Sequence, residues 1–329
     1  MSYELFGGDK MQSHDIVIIG GGTAGLSAAL EARKLGISDI VIIERENELG
    51  GILNRYIHDG FTCDDSKEKI TGPEYAYKFI KNINEHEISY KLNTTVLSMT
   101  KDKVITAVND EDGLFEINAK AVILASGACD KRKEILEMPM NKAAGIYTAE
   151  AVQKFINFHG CMPGKNIIVY GSNDSGLIVS RRITLEGSHV TAVVEKMPYL
   201  RGHQENLSEC LDYFNIPLLL GYTIKEIKGK NRVEQVTLSK VDKYGNILEG
   251  CDISYDCDTI VLSMGLTPEN NISKDAGIIM SSSGGPRVDE KLETSIDGIF
   301  ACGNAVYVHD EVKEVKDDGC IAGRNAALY

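Results

Sequence analysis

Glycines at 20, 22 and 25 sit between the apolar run Ile16 to Ile19 and a segment that carries Leu26, Ala29, Leu30 and Leu35 at helical spacing. That order imposes a strand, a tight turn and a helix. The three glycines fill a G-x-G-x-x-G frame. Gly20 permits the turn, Gly22 lets backbone approach a pyrophosphate, and Gly25 lets helix and strand pack closely. A helix starting at such a turn offers free N–H groups and a positive dipole end to phosphates. A second apolar run, Ile40 to Ile43, closes on Glu44, 19 residues past Gly25, where a carboxylate accepts hydrogen bonds from ribose hydroxyls. The stretch predicts half of a dinucleotide site.

The same pattern returns from Lys165 to Gly176, KNIIVYGSNDSG, followed by Leu177, Ile178, Ile183 and Leu185 on a helix and by the strand Val190 to Val194. Glu44 and Glu195 each stand 24 residues past the first glycine of their turn, Gly20 and Gly171. Equal spacing predicts two copies of one nucleotide-binding unit. Between the copies, the run after Glu44 reads as a loop and residues 73 to 86 as a helix. Val96 to Thr100, Val104 to Val108 and Leu114 to Ile117 read as a small meander, and Ala121 to Ala125 as a separate buried strand. The first unit is thus expected to hold three parallel strands plus a hairpin layer. Pro217 to Leu220, Val233 to Leu238 and Thr259 to Leu262 give the second unit further strands. Ile299 to Ala301, Cys302-Gly303-Asn304 and a helix from about Glu311 are too few to bury a core alone. They are expected to return to the first unit and make the second an insertion. The fold class is α/β, with two Rossmann-like dinucleotide-binding domains: a tail at 1–14, one domain from 15–131 and 266–329, and an inserted domain at 132–265.

A net charge of -13 with no dense Lys/Arg run argues against nucleic acid or an anionic membrane as main partner. No apolar segment approaches the roughly 20 residues of a membrane helix, and the first residues lack a basic start and an apolar core, so a cytoplasmic protein is expected. None of the eight cysteines forms a C-x-x-C pair, so neither a metal site nor a local dithiol is expected. Cys251 and Cys257 flank a strand, CDISYDC, with even spacing that puts both on one face, too far apart for a disulfide.

With both glycine turns, Ala125-Ser126-Gly127 and the closing TSIDGIFACGNA in view, the chain resembles the thioredoxin-reductase-like branch of the two-dinucleotide-binding-domain flavoproteins. Within that branch GGILNRYIHDGF, ITGPEYA, AAGIYTAEAVQ, RRITLEG, VVEKMPY and ACGNAVYVHDEV are similar to FAD-dependent oxidoreductases associated with anaerobic glycerol-3-phosphate dehydrogenases and with opine dehydrogenase and hydrogen cyanide synthase subunits. The resemblance implies FAD on the first turn, its pyrophosphate at Gly20, Gly22, Thr23, Ala24 and Gly25 and its adenosine ribose at Glu44, beside Arg45. Gly50, Gly51, Ile52 and Asn54 would line the flavin side, with Val96, Ser126 and Gly127 close to the cofactor. Gly303 and Asn304 would approach the ribityl and pyrophosphate region, and a helix near Val312 would aim its amides at the flavin's pyrimidine end. A nicotinamide nucleotide would lie at Gly171, Ser172, Asn173, Asp174, Ser175, Gly176, Glu195 and Gly265.

Two departures qualify the resemblance. Where thioredoxin reductases carry C-x-x-C, this chain has Ile146-Tyr147-Thr148-Ala149-Glu150, which removes an internal dithiol relay. Asn173 replaces the middle glycine of the second turn, where a side chain would crowd a pyrophosphate; Asn tolerates left-handed backbone better than most residues. Glu195 favours NADH over NADPH, since a carboxylate accepts from a 2′-hydroxyl and repels a 2′-phosphate; Lys196 and Arg201 keep NADPH as the alternative. His58 is the candidate for proton transfer near the flavin, weighed against a surface histidine. Cys63 and the pair His309-Asp310 are weaker candidates, a packed thiol and a solvated turn being the ordinary readings. The expected activity is an FAD-dependent NAD(P)H oxidoreductase passing electrons to an unidentified acceptor. A docking subunit of a heteromeric dehydrogenase, or an FAD module with a decayed nicotinamide site, are the alternatives, and a homodimer stays open.

Overall fold

The computed structural model describes residues 11–62, 68–131 and 143–329, so most of the expected N-terminal tail, and Cys63, lie outside the described residues. The chain divides into two units: residues up to Cys129 with Thr267–Tyr329, and Asp130–Leu266.

Four consecutive apolar residues, Ile16 to Ile19, need cover on both faces, and in the first unit they lie between two parallel neighbours inside a mixed sheet. The strands run Ser89–Lys91, Ile40–Ile43, Gln12–Ile19, Gly113–Leu124, Val104–Asn109 and Thr95–Met99, with Ile299–Ala301 also paired to Gly113–Leu124. Ile16 and Ile18 enter the core shared with the helices Thr23–Lys34 and Val312–Leu328, whereas Val17 and Ile19 enter the opposite layer with Ile105, Ile117 and Ile278. The helix Thr23–Lys34 packs on Val312–Leu328 through small residues: a Cβ on Gly319 would lie 2.9 Å from Ser27 Cβ, and one on Gly323 2.7 Å from Ala28 Cα.

Four boundaries differ from the sequence reading. The first strand starts at Gln12, because Gln12 to His14 pair with Ile117 to Ala119 and extend the ladder into the expected tail. Leu114 to Ile117 and Ala121 to Ala125 are not two strands; Gly113–Leu124 is continuous, its first half antiparallel to Val104–Asn109 and its second half parallel to Gln12–Ile19. The loop after Glu44 contains a 3-10 turn, Gly51–Arg55, and a hairpin of Asp59–Thr62 with Lys69–Thr71. Tyr222–Lys228 and Ile247–Asp256 flank Gln235–Val241 in a three-stranded antiparallel sheet; the middle strand and the CDISYDC part of the third were read from the sequence, Tyr222–Lys228 was not. The helix expected at 73 to 86 spans Gly72–Glu85, started by a capping box between Thr71 and Glu74.

In the second unit the parallel order is Ile146–Thr148, Thr259–Leu262, Asn166–Tyr170, His189–Glu195 and Leu218–Leu220. The strand that enters the glycine turn is flanked on one side by the strand ending in the acid and on the other by the strand that closes the unit. That is also the arrangement around Gln12–Ile19. The mixed α/β architecture with two parallel sheet cores is the one read from the repeat.

Candidate functional site

The two glycine turns share the same backbone frame. Gly20 and Gly171 have φ of 112° and 111°, a region that side chains rarely enter, and a Cβ on either would overlap a carbonyl oxygen of the neighbouring strand end, Ala125 or Ser263. The Gly20 amide donates to the Ile43 carbonyl at 2.9 Å and the Gly171 amide to Val194 at 2.7 Å. Gly25 and Gly176 lie against the carbonyls of Gly20 and Gly171 with no room for a side chain. Gly127 and Gly265, both at positive φ, follow the closing strands at matching places.

The acids are repeated too, but they do more than the sequence reading assigned to them. Glu44 is buried and braces its own turn: Oε2 accepts from the Gly21 amide at 2.6 Å and Oε1 from the Glu46 amide at 2.9 Å. Glu195 does the same with the Ser172 amide at 2.9 Å and the Met197 amide at 2.8 Å, and also accepts from the Ser172 hydroxyl at 2.9 Å. A carboxylate offers about four acceptor positions. Glu44 keeps two of them and Glu195 one. Burial pushes the Tyr170 phenol upward against the pull of its hydrogen bond with Thr223, and the nearby Glu195 charge adds to the rise.

The turns differ at their middle residue. Gly22 is the N-cap of Thr23–Lys34 with no side-chain cap, and a Cβ on it would meet only Gly51 Cα, at 3.8 Å. Asn173 is not left-handed as expected; at φ -71° and ψ 168° it is an ordinary N-cap whose Oδ1 accepts from the Gly176 amide at 3.0 Å and from the Ser263 hydroxyl. The side chain folds onto the helix end, where it occupies an amide of the turn.

The profile of the pyridine nucleotide-disulphide oxidoreductase family matches residues 14–318. The chain belongs to this family. It is an FAD-dependent NAD(P)H oxidoreductase of the thioredoxin-reductase-like kind. It is similar to relatives of varied name. These include a 34.2 kDa protein in a rubredoxin operon of Clostridium pasteurianum, 26% identical over 96% of both chains. A ferredoxin–NADP reductase of Halalkalibacterium halodurans is 26% identical over 92% of this chain and 88% of its own. Thioredoxin reductase of Lactococcus lactis has the same fold, with a TM-score of 0.76 at 22% identity over 96% of this chain and 98% of that one.

Around the turns of this oxidoreductase the structure draws in Gly202, His203 and Asn206, which the pattern did not mark, beside several residues that it did. The Gly50 amide donates to the Gly21 carbonyl and the Gly202 amide to the Ser172 carbonyl, both at 2.8 Å. Gly50 follows Glu44 by six residues and Gly202 follows Glu195 by seven, and that one-residue slip hid the equivalence. Arg201 donates its amide to the Ser172 hydroxyl at 3.1 Å. Asp174, in the first turn of Asp174–Leu185, holds the next loop through Asn206 Nδ2 at 2.7 Å, the His203 amide at 2.8 Å and His203 Nδ1 at 2.6 Å. Burial opposes its ionisation, yet these bonds outweigh the burial and keep the carboxyl below the usual range. Ser175 lies beside it, half-buried.

In the first unit, Thr23 and Ala24 are buried in the first helical turn, Arg45 is exposed, and Ile52 is half-buried on the 3-10 turn. Asn54 Nδ2 donates to the Leu49 carbonyl at 2.9 Å and holds that turn closed. Val96 is half-buried and packs against the core layer that holds Val17, Ile19 and Ile105. Ser126 donates its hydroxyl to the Glu269 carbonyl at 2.9 Å. His58 sits between Tyr56 and Phe61, its ring centroid 5.7 Å and 5.4 Å from theirs. Asn304 Oδ1 accepts from the His309 amide at 3.0 Å, one of the two acceptor positions of an amide oxygen. His309 is not in a solvated turn, since its ring is largely covered and lies 2.9 Å from Asp318 Oδ2. Val312 begins the C-terminal helix, whose N-cap Glu311 makes no side-chain cap, and packs against Leu53 and Tyr75. Among the described residues no helix is long and apolar enough to cross a membrane.

Proposed function

We propose that this chain is an NADH-preferring flavoenzyme whose electrons leave to a separate acceptor, a redox protein or a dehydrogenase subunit, and not to an internal dithiol. The observation that carries the reading is a pair of turn–acid units of the same hydrogen-bond geometry in a chain that has Ile146-Tyr147-Thr148-Ala149-Glu150 in place of a cysteine pair.

The first turn fits FAD. Among the described residues only Gly51 Cα comes within 4 Å of a Cβ placed on Gly22, the helix amides behind it are not spent on a side-chain cap, and Glu44 keeps two acceptor positions for a ribose diol. Gly303 and the uncapped end of Val312–Leu328 would meet the rest of the cofactor. FAD, when bound, supplies the hydride and electron chemistry. In the second unit Glu195 retains one acceptor position, enough for a 2′-hydroxyl and repulsive to a 2′-phosphate, which supports NADH over NADPH. Relatives named ferredoxin–NADP reductase, and one encoded in a rubredoxin operon, support a small redox protein as acceptor. The likeness to glycerol-3-phosphate- and opine-associated oxidoreductases supports the dehydrogenase subunit instead. Asn173, seated on the amide of Gly176, favours a second reading in which the nicotinamide site has weakened.

Anaerobic titration of the FAD-loaded protein with NADH and with NADPH, followed by flavin absorbance, tests the proposal. Stoichiometric bleaching at lower NADH than NADPH is expected, followed by recovery of colour on adding an oxidised ferredoxin or rubredoxin. Bound FAD that neither nucleotide bleaches would replace this reading by the weakened-site one.

A further inference from the structure

In the closing motif the Gly303 amide and the His309 ring converge on one atom. Asp318 Oδ2, on the C-terminal helix, accepts from the Gly303 amide at 3.2 Å and lies 2.9 Å from His309 Nε2. The other ring nitrogen, Nδ1, lies 3.4 Å from Glu314 Oε2. Both ring nitrogens thus face carboxylates, and a ring carrying two N–H groups would donate to both. The loop between is closed on itself, the His309 amide donating to Asn304 Oδ1 at 3.0 Å. Gly303, with φ of 60°, is wedged at its tip: a Cβ there would lie 2.9 Å from Ala24 Cβ and 3.1 Å from Val315 Cγ1. Ala24 belongs to the first turn of Thr23–Lys34, so the motif is seated against the helix end that starts at the first glycine turn.

We propose that His309 is a positioning residue for FAD: it neutralises the Asp318 carboxylate and holds it on the Gly303 amide, so that the closing motif can lie beside an anionic cofactor. The inference rests on the reading of the first turn as the FAD site. Asp318 is needed because it takes the Gly303 amide and fixes the loop to the helix. Alone, however, it would add a negative charge near the pyrophosphate, at a place where charge is poorly screened because both side chains are largely covered. His309 removes that conflict and ties the loop at the same time. Nothing in the spacing of CGNAVYVHDEVKEVKDDG announces this, because His309 and Asp318 meet only across the loop and helix.

The test measures FAD dissociation from the whole chain by flavin fluorescence, for the parent, His309→Ala, Asp318→Asn and the double variant, each checked for intact fold by circular dichroism. His309→Ala should weaken FAD about tenfold, which is about 1.4 kcal/mol. The loss should shrink as salt is raised. The double variant should regain most of it, because removing the acid removes the uncompensated charge. A clamp that acted only by holding the loop would leave the double variant as weak as either single one and would ignore salt. Parent-like affinity in His309→Ala, or no rescue by Asp318→Asn, overturns the proposal. If the parent itself binds no FAD, the reading of the first turn has failed instead.

Discussion

Replacing Asn173 by glycine should move affinity and stability in opposite directions. The Asn173 side chain accepts from the Gly176 amide at 3.0 Å and from the buried Ser263 hydroxyl, so a phosphate that uses the Gly176 amide must first displace it. The displaced cap is worth about 1 kcal/mol, and its removal in advance should lower the NADH dissociation constant about fivefold. The same change costs the unit a few tenths of a kcal/mol for the cap, because glycine is itself a fair N-cap. It also loses about 0.5–1.5 kcal/mol for the Ser263 hydrogen bond. Melting should therefore fall by a few degrees. Asn173→Asp separates the two effects: it keeps the cap, so melting should hold, but sets a charge against the phosphates, so NADH should weaken about tenfold, or about 1.4 kcal/mol. Stopped-flow bleaching of the flavin over a range of NADH concentrations gives the dissociation constant and the limiting rate separately, and the limiting rate should match the parent in both variants. An Asn173→Gly variant that melts earlier yet binds NADH no better would show that the side chain does not stand where the phosphate goes, and the reasoning would fail.

Three other outcomes are expected. Gly323→Ala should destabilise the chain in urea by about 1–3 kcal/mol through overlap with the Ala28 backbone, although alanine is the better helix former by about 1 kcal/mol. Glu195→Gln should weaken NADH and narrow its advantage over NADPH about tenfold in the same bleaching assay, since a hydrogen bond to a charged acceptor is worth about 1.5–3 kcal/mol. Burial pushes the Cys210 thiol up to about 11 and Cys257 up to about 12, from an ordinary value of 9.0. Both are raised, so their neutral forms contribute stability that is fully present below pH 9 and lost as pH climbs through the folded values. The stability advantage of the parent over Cys257→Ala should accordingly shrink between pH 9 and 11 in urea melts, and iodoacetamide at pH 8 should label exposed Cys161 well before Cys210 or Cys257.

What the sequence determined by itself is local. A glycine turn, the apolar strand before it and the acid at the end of the next strand are close in the chain and obey fixed spacings, so Gly20 to Glu44 and Gly171 to Glu195 were legible, and with them the repeat and the architecture. The continuity of Gly113–Leu124 was not, because the polar stretch Asn118-Ala119-Lys120 reads as a break, and only pairing on both edges keeps it extended. The state of the site was decided by tertiary structure for the same reason. Whether Asn173 obstructs its turn or caps it depends on Ser263, 90 residues away. How many acceptor positions Glu44 and Glu195 retain depends on which amides the turns direct at them. His309 gained its partner only when the C-terminal helix came back onto the first unit, where Gly319 and Gly323 let it lie close enough to bring Asp318 to the Gly303 amide. A hydrogen bond is set by distances of a few tenths of an ångström between atoms that the chain brings together last, and residue spacing carries no record of them.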